Sequence, residues 1–169
     1  MIFVTVGTHE QPFNRLVEYI DNLKQNRVIN EEIIIQTGYS TYEVKYCVWK
    51  KFYPYQQIIK YVREARIVIT HGGPSSFIMP LQEGKIPIVV PRQKKYGEHV
   101  NDHQVYFATK VSERMGTIIT VVDINSLCNI IQNYDELIKK MNGNCESNNA
   151  RFNAELEKIV NELIDGTKE

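Results

Sequence analysis

Three short segments of the sequence combine glycine, hydroxyl and imidazole side chains in the way that anion-binding turns do. The first is Gly7-Thr8-His9, which directly follows the apolar run 2–6. Small residues at such a turn let backbone N–H groups approach an anion. An imidazole at a strand end is also a candidate base near neutral pH, which makes His9 a candidate for that role. The same residues would equally suit an ordinary connection between a strand and a helix.

The second segment is residues 70–76, which read THGGPSS. A β-branched run leads into two glycines, a proline and two hydroxyl side chains, a pattern that predicts a sharp turn into a helix. A helix N-terminus offers free N–H groups and the positive end of the helix dipole, which together suit a diphosphate. His71, Ser75 and Ser76 could each donate a hydrogen bond to phosphate or to a sugar hydroxyl. The alternative is that Ser75 only caps the helix and His71 only fills the turn.

The third segment is residues 96–104, which read YGEHVNDHQ. It places many hydrogen-bonding side chains at one predicted helix entrance. Asn101, Asp102 and Gln104 are of the types that bind sugar hydroxyls, although Asn101 or Asp102 could instead cap the helix. No spacing of His, Asp and Glu requires a metal, so we expect no metal site here.

These segments follow strands in a chain that alternates short apolar runs with amphipathic stretches. The patterns predict strands at 2–6, 32–37, 44–52, 66–70, 87–90 and 117–122, and helices at 12–26, 54–65, 75–83, 100–111, 124–141 and 150–164. Strands separated by helices predict an α/β fold with a parallel sheet and helices on both faces. Ligands of such folds bind at the carboxyl ends of the strands, where all three segments lie.

Composition limits the classes of protein further. The chain has 169 residues, with 20 Lys and Arg against 20 Asp and Glu. A balanced charge argues against bulk attraction to nucleic acid or to an anionic membrane. Cys47, Cys128 and Cys145 form no C-x-x-C pair, so no zinc knuckle or redox motif is indicated. We expect no leader peptide and no membrane span, and hence a cytosolic protein.

The predicted domain organisation has three parts. Residues 1–141 form one domain, residues 142–149 (NGNCESNN) form a polar link, and residues 150–169 form an amphipathic C-terminal helix. Six apolar side chains of that last helix fall on one face: Phe152, Leu156, Ile159, Val160, Leu163 and Ile164. Such a face either packs on its own domain or contacts a partner.

Taken together, these motifs resemble one family. Residues 67–76 (IVITHGGPSS), 84–92 (GKIPIVVPR) and 101–104 (NDHQ) look like the C-terminal, donor-binding half of glycosyltransferase family 28. Residues 4–8 (VTVGT) and 12–17 (PFNRLV) resemble the single-domain subunits of split GT-B glycosyltransferases. Similar subunits are the nucleotide-sugar-binding half of the eukaryotic two-subunit GlcNAc transferase and, closer still, bacterial capsule and exopolysaccharide subunits. The resemblance spans about residues 1–140.

The resemblance implies one Rossmann-like domain, half of a GT-B fold, that helps to transfer a hexose from a UDP-sugar to a lipid-linked saccharide with inversion. Galactose or glucuronic acid is favoured as the hexose, and GlcNAc is possible. A diphosphate site is implied at Gly7, Thr8, His71, Gly72, Gly73, Ser75 and Ser76, and a sugar site at Asn101, Asp102 and Gln104. No metal or other cofactor is implied, and a cation of the 92–95 loop could assist. Met79 stands where several relatives carry a ribose-binding Glu, which leaves Glu83 or a backbone atom for the ribose.

A complete GT-B enzyme needs two such domains, and this chain has room for one. The resemblance therefore implies a membrane-anchored partner subunit that binds the acceptor, with this chain held at the inner face of the plasma membrane through that partner. In the related two-subunit transferase the C-terminal helix takes part in this docking. Two other hypotheses remain open: a non-catalytic, nucleotide-sugar-binding regulatory subunit, and a receiver-like or flavodoxin-like signalling domain. A receiver-like domain requires clustered acidic residues after the first strand, where only Glu10 is present.

Overall fold

A computed structural model describes residues 1–141 of the chain. Its centre is a six-stranded, fully parallel sheet in the order β3-β2-β1-β4-β5-β6. The strands are β1 (Ile2–Thr5), β2 (Ile33–Gln36), β3 (Val48–Lys50), β4 (Ile67–His71), β5 (Ile88–Val90) and β6 (Ile119–Thr120). The helices are α1 (Asn14–Gln25), α2 (Tyr55–Glu64), α3 (Pro74–Gln82), α4 (His103–Met115), α5 (Leu127–Gln132) and α6 (Tyr134–Lys140). The predicted α/β fold with a parallel sheet is confirmed.

The sheet is covered on both faces because its strands alternate apolar side chains between two cores. Ile2 and Val4 of β1 point into a core shared with α1, α5 and α6. Phe3, between them, points to the other face and packs with Val62 of α2 and Val68 of β4. Period-two alternation with apolar residues on both sides is typical of a buried parallel strand. The central strands are therefore rigid supports for the loops that leave their ends.

The direction of the sheet order reverses between β1 and β4. These two strands are neighbours with Thr5 opposite Thr70, so their carboxyl ends reach the same edge of the sheet. One consecutive set of strands runs outward from β1 and the other from β4, which leaves a crevice at that point. The edge strand β3 outside β2 gives the 3-2-1-4-5-6 order, whereas a flavodoxin-like or receiver fold has the order 2-1-3-4-5. The signalling-domain hypothesis is therefore wrong.

Several predicted elements differ from the observed ones at their boundaries. The strand predicted at 44–52 forms only over Val48–Lys50, because the preceding backbone is bound to a side chain of α1 instead of to β2. The helix predicted from residue 100 begins at His103, since Asn101 first makes a turn by accepting from the backbone N–H of His103. The stretch 124–141 consists of a 3-10 turn (Ile124–Ser126) followed by α5 and α6, which are separated at Asn133.

The predicted link at 142–149 and the predicted helix at 150–169 lie outside the described residues. Within residues 1–141, none of the helices combines the length and the apolar character that crossing a bilayer requires.

Candidate functional site

His71 lies at the carboxyl end of β4, directly beside the point where the strand order reverses. Its ring occupies the space that side chains at two glycines would need. A Cβ atom on Gly7 would lie 2.1 Å from His71 Nε2, and one on Gly73 would lie 2.3 Å from His71 Cε1. Gly7 also has a φ of +75°, which favours glycine over other residues. The two glycine turns therefore hold the imidazole between them.

The hydrogen bonds of His71 define its protonation. Nδ1 accepts from the backbone N–H of Gly73 at 2.8 Å, which places the proton of the neutral ring on Nε2. Burial lowers the pKa of His71 to about 3, and the charge of Arg92 and the neighbouring His9 and His99 act in the same direction. At neutral pH the side chain is thus an uncharged hydrogen-bond donor rather than a cation or a base.

The helix N-terminus of α3 lies next to this donor. Pro74 is its first residue, so the missing proline N–H coincides with a position that has no intrahelical acceptor. Ser76 Oγ donates back to the carbonyls of His71 and Gly73 at 2.9 and 2.6 Å, which closes the turn. Ser75 is exposed and its side chain does not cap the helix. Of the two serines, Ser75 is the one that presents an accessible hydroxyl.

A cavity of about 210 Å³ opens at this edge of the sheet. It brings together Gly7, Thr8, His71, Ser75 and Ser76 with five apolar or strand residues: Thr5, Ile58, Val62, Val68 and Met79. Two of the three predicted segments therefore converge on one cavity. Gly72 is buried behind it, where a Cβ atom would lie 2.8 Å from Gln104 Cβ.

His9 lies on the β1–α1 loop, with its ring centroid 5.1 Å from that of His99. Burial, together with Arg92 and His99, lowers the pKa of His9. Its Nδ1 accepts from the backbone N–H of Gln11 at 3.2 Å, so the proton of the neutral ring lies on Nε2. The nitrogen at which neutral His9 can take up a proton is therefore Nδ1. His9 can act as a base only if the hydrogen bond from the Gln11 N–H to Nδ1 breaks.

The three predicted sugar-binding residues have different surroundings. Asn101 and Asp102 are exposed at the entrance of α4, and Asp102 Oδ1 accepts from the backbone N–H of Lys94 at 2.8 Å. Gln104 is buried, and its Oε1 accepts from the backbone N–H groups of Gly72 at 3.1 Å and Arg92 at 3.2 Å. The Gln104 carbonyl oxygen is thus committed to two loops, which leaves its amide nitrogen for a ligand.

Two buried ionic groups lie beneath the site where the sequence patterns did not predict them. A cation of the 92–95 loop is predicted to be able to assist, but Arg92 is fully buried and its guanidinium is bound to backbone carbonyls. Glu98 is 3% exposed and accepts two hydrogen bonds from Arg15, at 2.8 and 2.9 Å. Because arginine and glutamate are mostly exposed in proteins, residue type alone does not place either in the core. The 92–95 loop therefore offers an accessible cation only at Lys94 and Lys95.

The expected role of Glu83 is not supported by its position. Glu83 follows the last turn of α3 and pairs with Arg63 at 2.9 Å, whereas the cavity is at the first turn. Met79, the position at which the resemblance implied the loss of a ribose-binding Glu, does line the cavity. Glu83 is thus in the wrong place for ribose, because the helix separates it from the cavity. Among residues 1–141, no cluster of three His, Cys, Asp or Glu side chains suited to a metal ion is found.

Comparison with known proteins agrees with this geometry at the level of fold. The first of three similar solved structures is the glycosyltransferase SnogD from Streptomyces nogalater, with 15% identity, a TM-score of 0.50, and coverage of 90% of this chain and 42% of that one. The glycotransferase of kitacinnamycin has 15% identity and a TM-score of 0.55, with coverage of 84% of this chain and 40% of that one. CalG4, the calicheamicin glycosyltransferase, has 12% identity and a TM-score of 0.52, with coverage of 96% of this chain and 43% of that one. The chain thus spans less than half the length of each.

A comparison with curated proteins finds no match. The profile of the glycosyltransferase family 28 C-terminal domain, however, matches residues 1–163, which is nearly the whole chain. The strand order, the site at the reversal point and the likeness to GT-B glycosyltransferases all agree with that match. The chain belongs to the glycosyltransferase family 28 C-terminal domain family and has the fold of one half of a GT-B enzyme.

Proposed function

We propose that this domain binds the UDP-sugar donor of an inverting hexosyltransferase. The observation that carries the proposal is the neutral His71, held between Gly7 and Gly73 at the edge of a cavity beside the N-terminus of α3. A neutral imidazole with its proton on Nε2 donates a hydrogen bond without losing a proton. The helix N-terminus adds N–H donors and a favourable dipole for an anion. This combination suits a diphosphate.

The chemistry follows from where charge develops. Breaking the bond between the anomeric carbon and the phosphate oxygen leaves negative charge on UDP and positive character on the sugar ring. Donors already aimed at the leaving diphosphate stabilise that charge more in the transition state than in the ground state. In this proposal His71 Nε2, Ser75 and the amides of the α3 N-terminus supply that stabilisation, so the chemistry requires no metal ion. Thr8, which lines the same cavity, contacts the diphosphate from the opposite turn.

The donor sugar lies, in this proposal, toward the entrance of α4. Asn101 and Asp102 are exposed there and can bind hydroxyl groups, and the Gln104 amide nitrogen is the remaining donor of that side chain. The transferred hexose is galactose or glucuronic acid by preference, with GlcNAc as the other candidate. His9 is the candidate base on this chain, subject to release of the Gln11 N–H. The other source of a base is the acceptor-binding half.

The acceptor half is proposed to be a membrane-anchored partner subunit that presents a lipid-linked saccharide for capsule or exopolysaccharide synthesis. In support, the chain covers 42% and 43% of SnogD and CalG4, about the share of one of their two halves. The site also lies at the sheet edge that a second domain would have to cover. The predicted C-terminal helix is the proposed contact with this partner, which would hold the chain at the inner face of the plasma membrane.

The test is turnover by the assembled enzyme. We expect His71→Ala to reduce hexose transfer from a UDP-sugar by about 100-fold or more, because one lost donor to developing charge has an effect of that size. Circular dichroism and thermal melting establish that the variant is folded. The matched control is His103→Ala, an exposed imidazole at the start of α4 whose side chain is not needed in the proposal. Wild-type turnover in a folded His71→Ala enzyme would refute the proposal, and UDP-sugar binding without any turnover would favour a regulatory subunit.

A further inference from the structure

Arg92 is the largest of the fully buried side chains in residues 1–141, with none of its surface exposed. No carboxylate of the described part of the chain lies within ion-pair distance of it. Glu98, the carboxylate whose charge acts on the pKa of Arg92, is paired with Arg15. Burying a charge without a charged partner is unfavourable, and a packed apolar side chain of similar size is often as stable or more so. The guanidinium, which also lies 4.8 Å from the centroid of the Phe13 ring, is therefore compensated by uncharged partners.

The hydrogen bonds of the guanidinium show what the arginine does there. Nη2 donates to the carbonyl of Val6 at 2.9 Å, and Nη1 donates to the carbonyl of Gln11 at 2.7 Å, so both ends of the turn that contains Gly7 are bound. Nη1 also donates to the carbonyl of Glu98 at 3.2 Å, in the β5–α4 loop. One side chain thus joins the loop after β1 to the loop after β5.

The third loop of the site is joined through the backbone of the same residue. The N–H of Arg92 donates to Gln104 Oε1 at 3.2 Å, and that oxygen also accepts from the N–H of Gly72 at 3.1 Å. Gly72 belongs to the turn that follows His71. All three loops that carry the predicted site residues are therefore bound to Arg92 directly or through one amide oxygen.

We propose that Arg92 is the positioning residue of the donor site. Its fork holds the Gly7 turn and its backbone N–H, through Gln104, holds the Gly72 turn, so that Arg92 fixes the distance between the two turns that enclose His71. This inference rests on the proposed function for the identity of the ligand. Arg92 itself has no exposed surface, so it acts on the ligand only indirectly, by positioning the loops that it binds. The planar fork is essential to this role, because a lysine carries the same charge but cannot present two separate nitrogens to carbonyls in fixed directions.

The charge of Arg92 has a second consequence at His71. Burial is the main cause of the low pKa of His71, and Arg92 is the next, followed by His9 and His99. Removing the charge should raise that pKa, whereas a lysine that keeps the charge should not.

The experiment uses the full chain and two variants. Arg92→Lys keeps the charge and removes the fork, and Arg92→Met removes both. The matched controls are Arg63→Lys and Arg63→Met, since Arg63 is exposed and pairs with Glu83 at the other end of α3. NMR spectra report the amide resonances of Gly7 and Gly72 and the pH titration of the His71 ring. UDP titrations report affinity, and thermal melting reports folding.

We expect Arg92→Lys to remain folded, to shift the Gly7 and Gly72 resonances, and to weaken UDP binding about tenfold, since a small displacement of binding groups has effects of this size or larger. In Arg92→Met the His71 ring should titrate at a higher pH than in the wild type, and in the Arg63 variants nothing should change. Wild-type resonances and affinity in Arg92→Lys would overturn the proposal, as would loss of cooperative melting in that variant. If the wild type does not bind UDP while the resonance and titration changes occur, the proposed function fails and the positioning role stands.

Discussion

At the scale of single residues, the site requires glycine at two positions beside the His71 ring. His71 fits at the end of β4 only because Gly7 and Gly73 lack Cβ atoms, which would lie 2.1 and 2.3 Å from its ring. Its Nδ1 is bound by the N–H of Gly73, so its orientation and its tautomer are both fixed before any ligand arrives. A donor that is fixed in advance needs no reorganisation when charge develops on a bound diphosphate.

The contact between Gly7 and His71 gives a prediction that has a control within the same chain. Gly7→Ala must displace the His71 ring and should abolish UDP binding. Gly84 also has a positive φ, +71°, but a Cβ atom there meets nothing within 4 Å. Both alanine variants carry the backbone strain, on the order of 1 kcal/mol, and only Gly7→Ala carries the clash. Chemical denaturation and UDP titration of both variants make the comparison, and equal effects would show that the clash is absent.

The protonation of His71 gives a prediction about pH. Its pKa is about 3 in the folded protein and 6.5 in the unfolded chain, so between these values the unfolded state binds the additional proton. The free energy of unfolding therefore decreases as the pH falls through this range. Between pH 7 and pH 5 the wild type should lose on the order of 1 to 2 kcal/mol more than His71→Gln, whose side chain does not titrate.

Urea denaturation at both pH values measures this difference. His9, whose pKa is also lowered, is present in both proteins and cancels from the comparison. Parallel pH profiles for the two proteins would mean that folding does not change the pKa of His71, which would contradict this prediction.

At the scale of elements, the sheet positions the site and single polar side chains of the helices hold its loops. Asp21 is fully buried on α1, and its carboxylate accepts from the N–H groups of Lys45, Tyr46 and Cys47 and from the Tyr42 hydroxyl. These bonds satisfy the backbone of the loop between β2 and β3, which has no sheet partner there. The same carboxylate contributes to raising the pKa of Cys47 to about 12, although burial is the larger cause.

Asp21→Asn should therefore reduce stability by about 2 to 4 kcal/mol, because one acceptor oxygen becomes an N–H₂ group that faces backbone donors. Asp135→Asn is the control. Asp135 is 60% exposed and pairs with Arg66 at 3.1 Å, a surface pair of the kind that contributes about 1 kcal/mol or less. Urea denaturation of both variants measures the difference, and similar losses would contradict the role assigned to Asp21.

The elements also show how far sequence reasoning could reach. Short apolar runs between amphipathic stretches predicted the sheet and its helices, because strands buried on both faces are continuously apolar and helices with one buried face are apolar at a period of 3.6 residues. The glycine turns were predictable since few residues other than glycine fit there. The buried roles of Arg92, Glu98 and Asp21 were not predictable, because each depends on backbone groups from distant segments that only the fold brings together. Gln104 was predicted to contact the sugar. That its side-chain oxygen accepts from two backbone N–H groups was not predictable for the same reason, because those groups come from other segments of the chain.

At the scale of the whole molecule, the α/β domain formed by residues 1–141 has a cavity at the point where the strand order of its sheet reverses. A second cavity, lined by Arg66, Lys85, Ile86 and Tyr134 among others, includes residues that precede β4 and β5 and so lies near the opposite edge of the sheet. A titration can therefore distinguish a ligand in the first cavity from a ligand in the second. We assign the nucleotide to the first cavity, because the fixed donor His71 and the N-terminus of α3 lie there.

An NMR titration of the full chain with UDP is the sharpest test of this assignment. We predict that the amide resonances of Gly7, Gly72 and Ser75 and the ring resonances of His71 shift together and saturate, and that His71→Ala weakens the binding by about tenfold or more, as expected for a lost hydrogen bond to a charged group. Shifts confined to Arg66, Ile86 and Tyr134, or no shifts up to about 10 mM UDP, far above the range of ordinary substrate affinities, would contradict it.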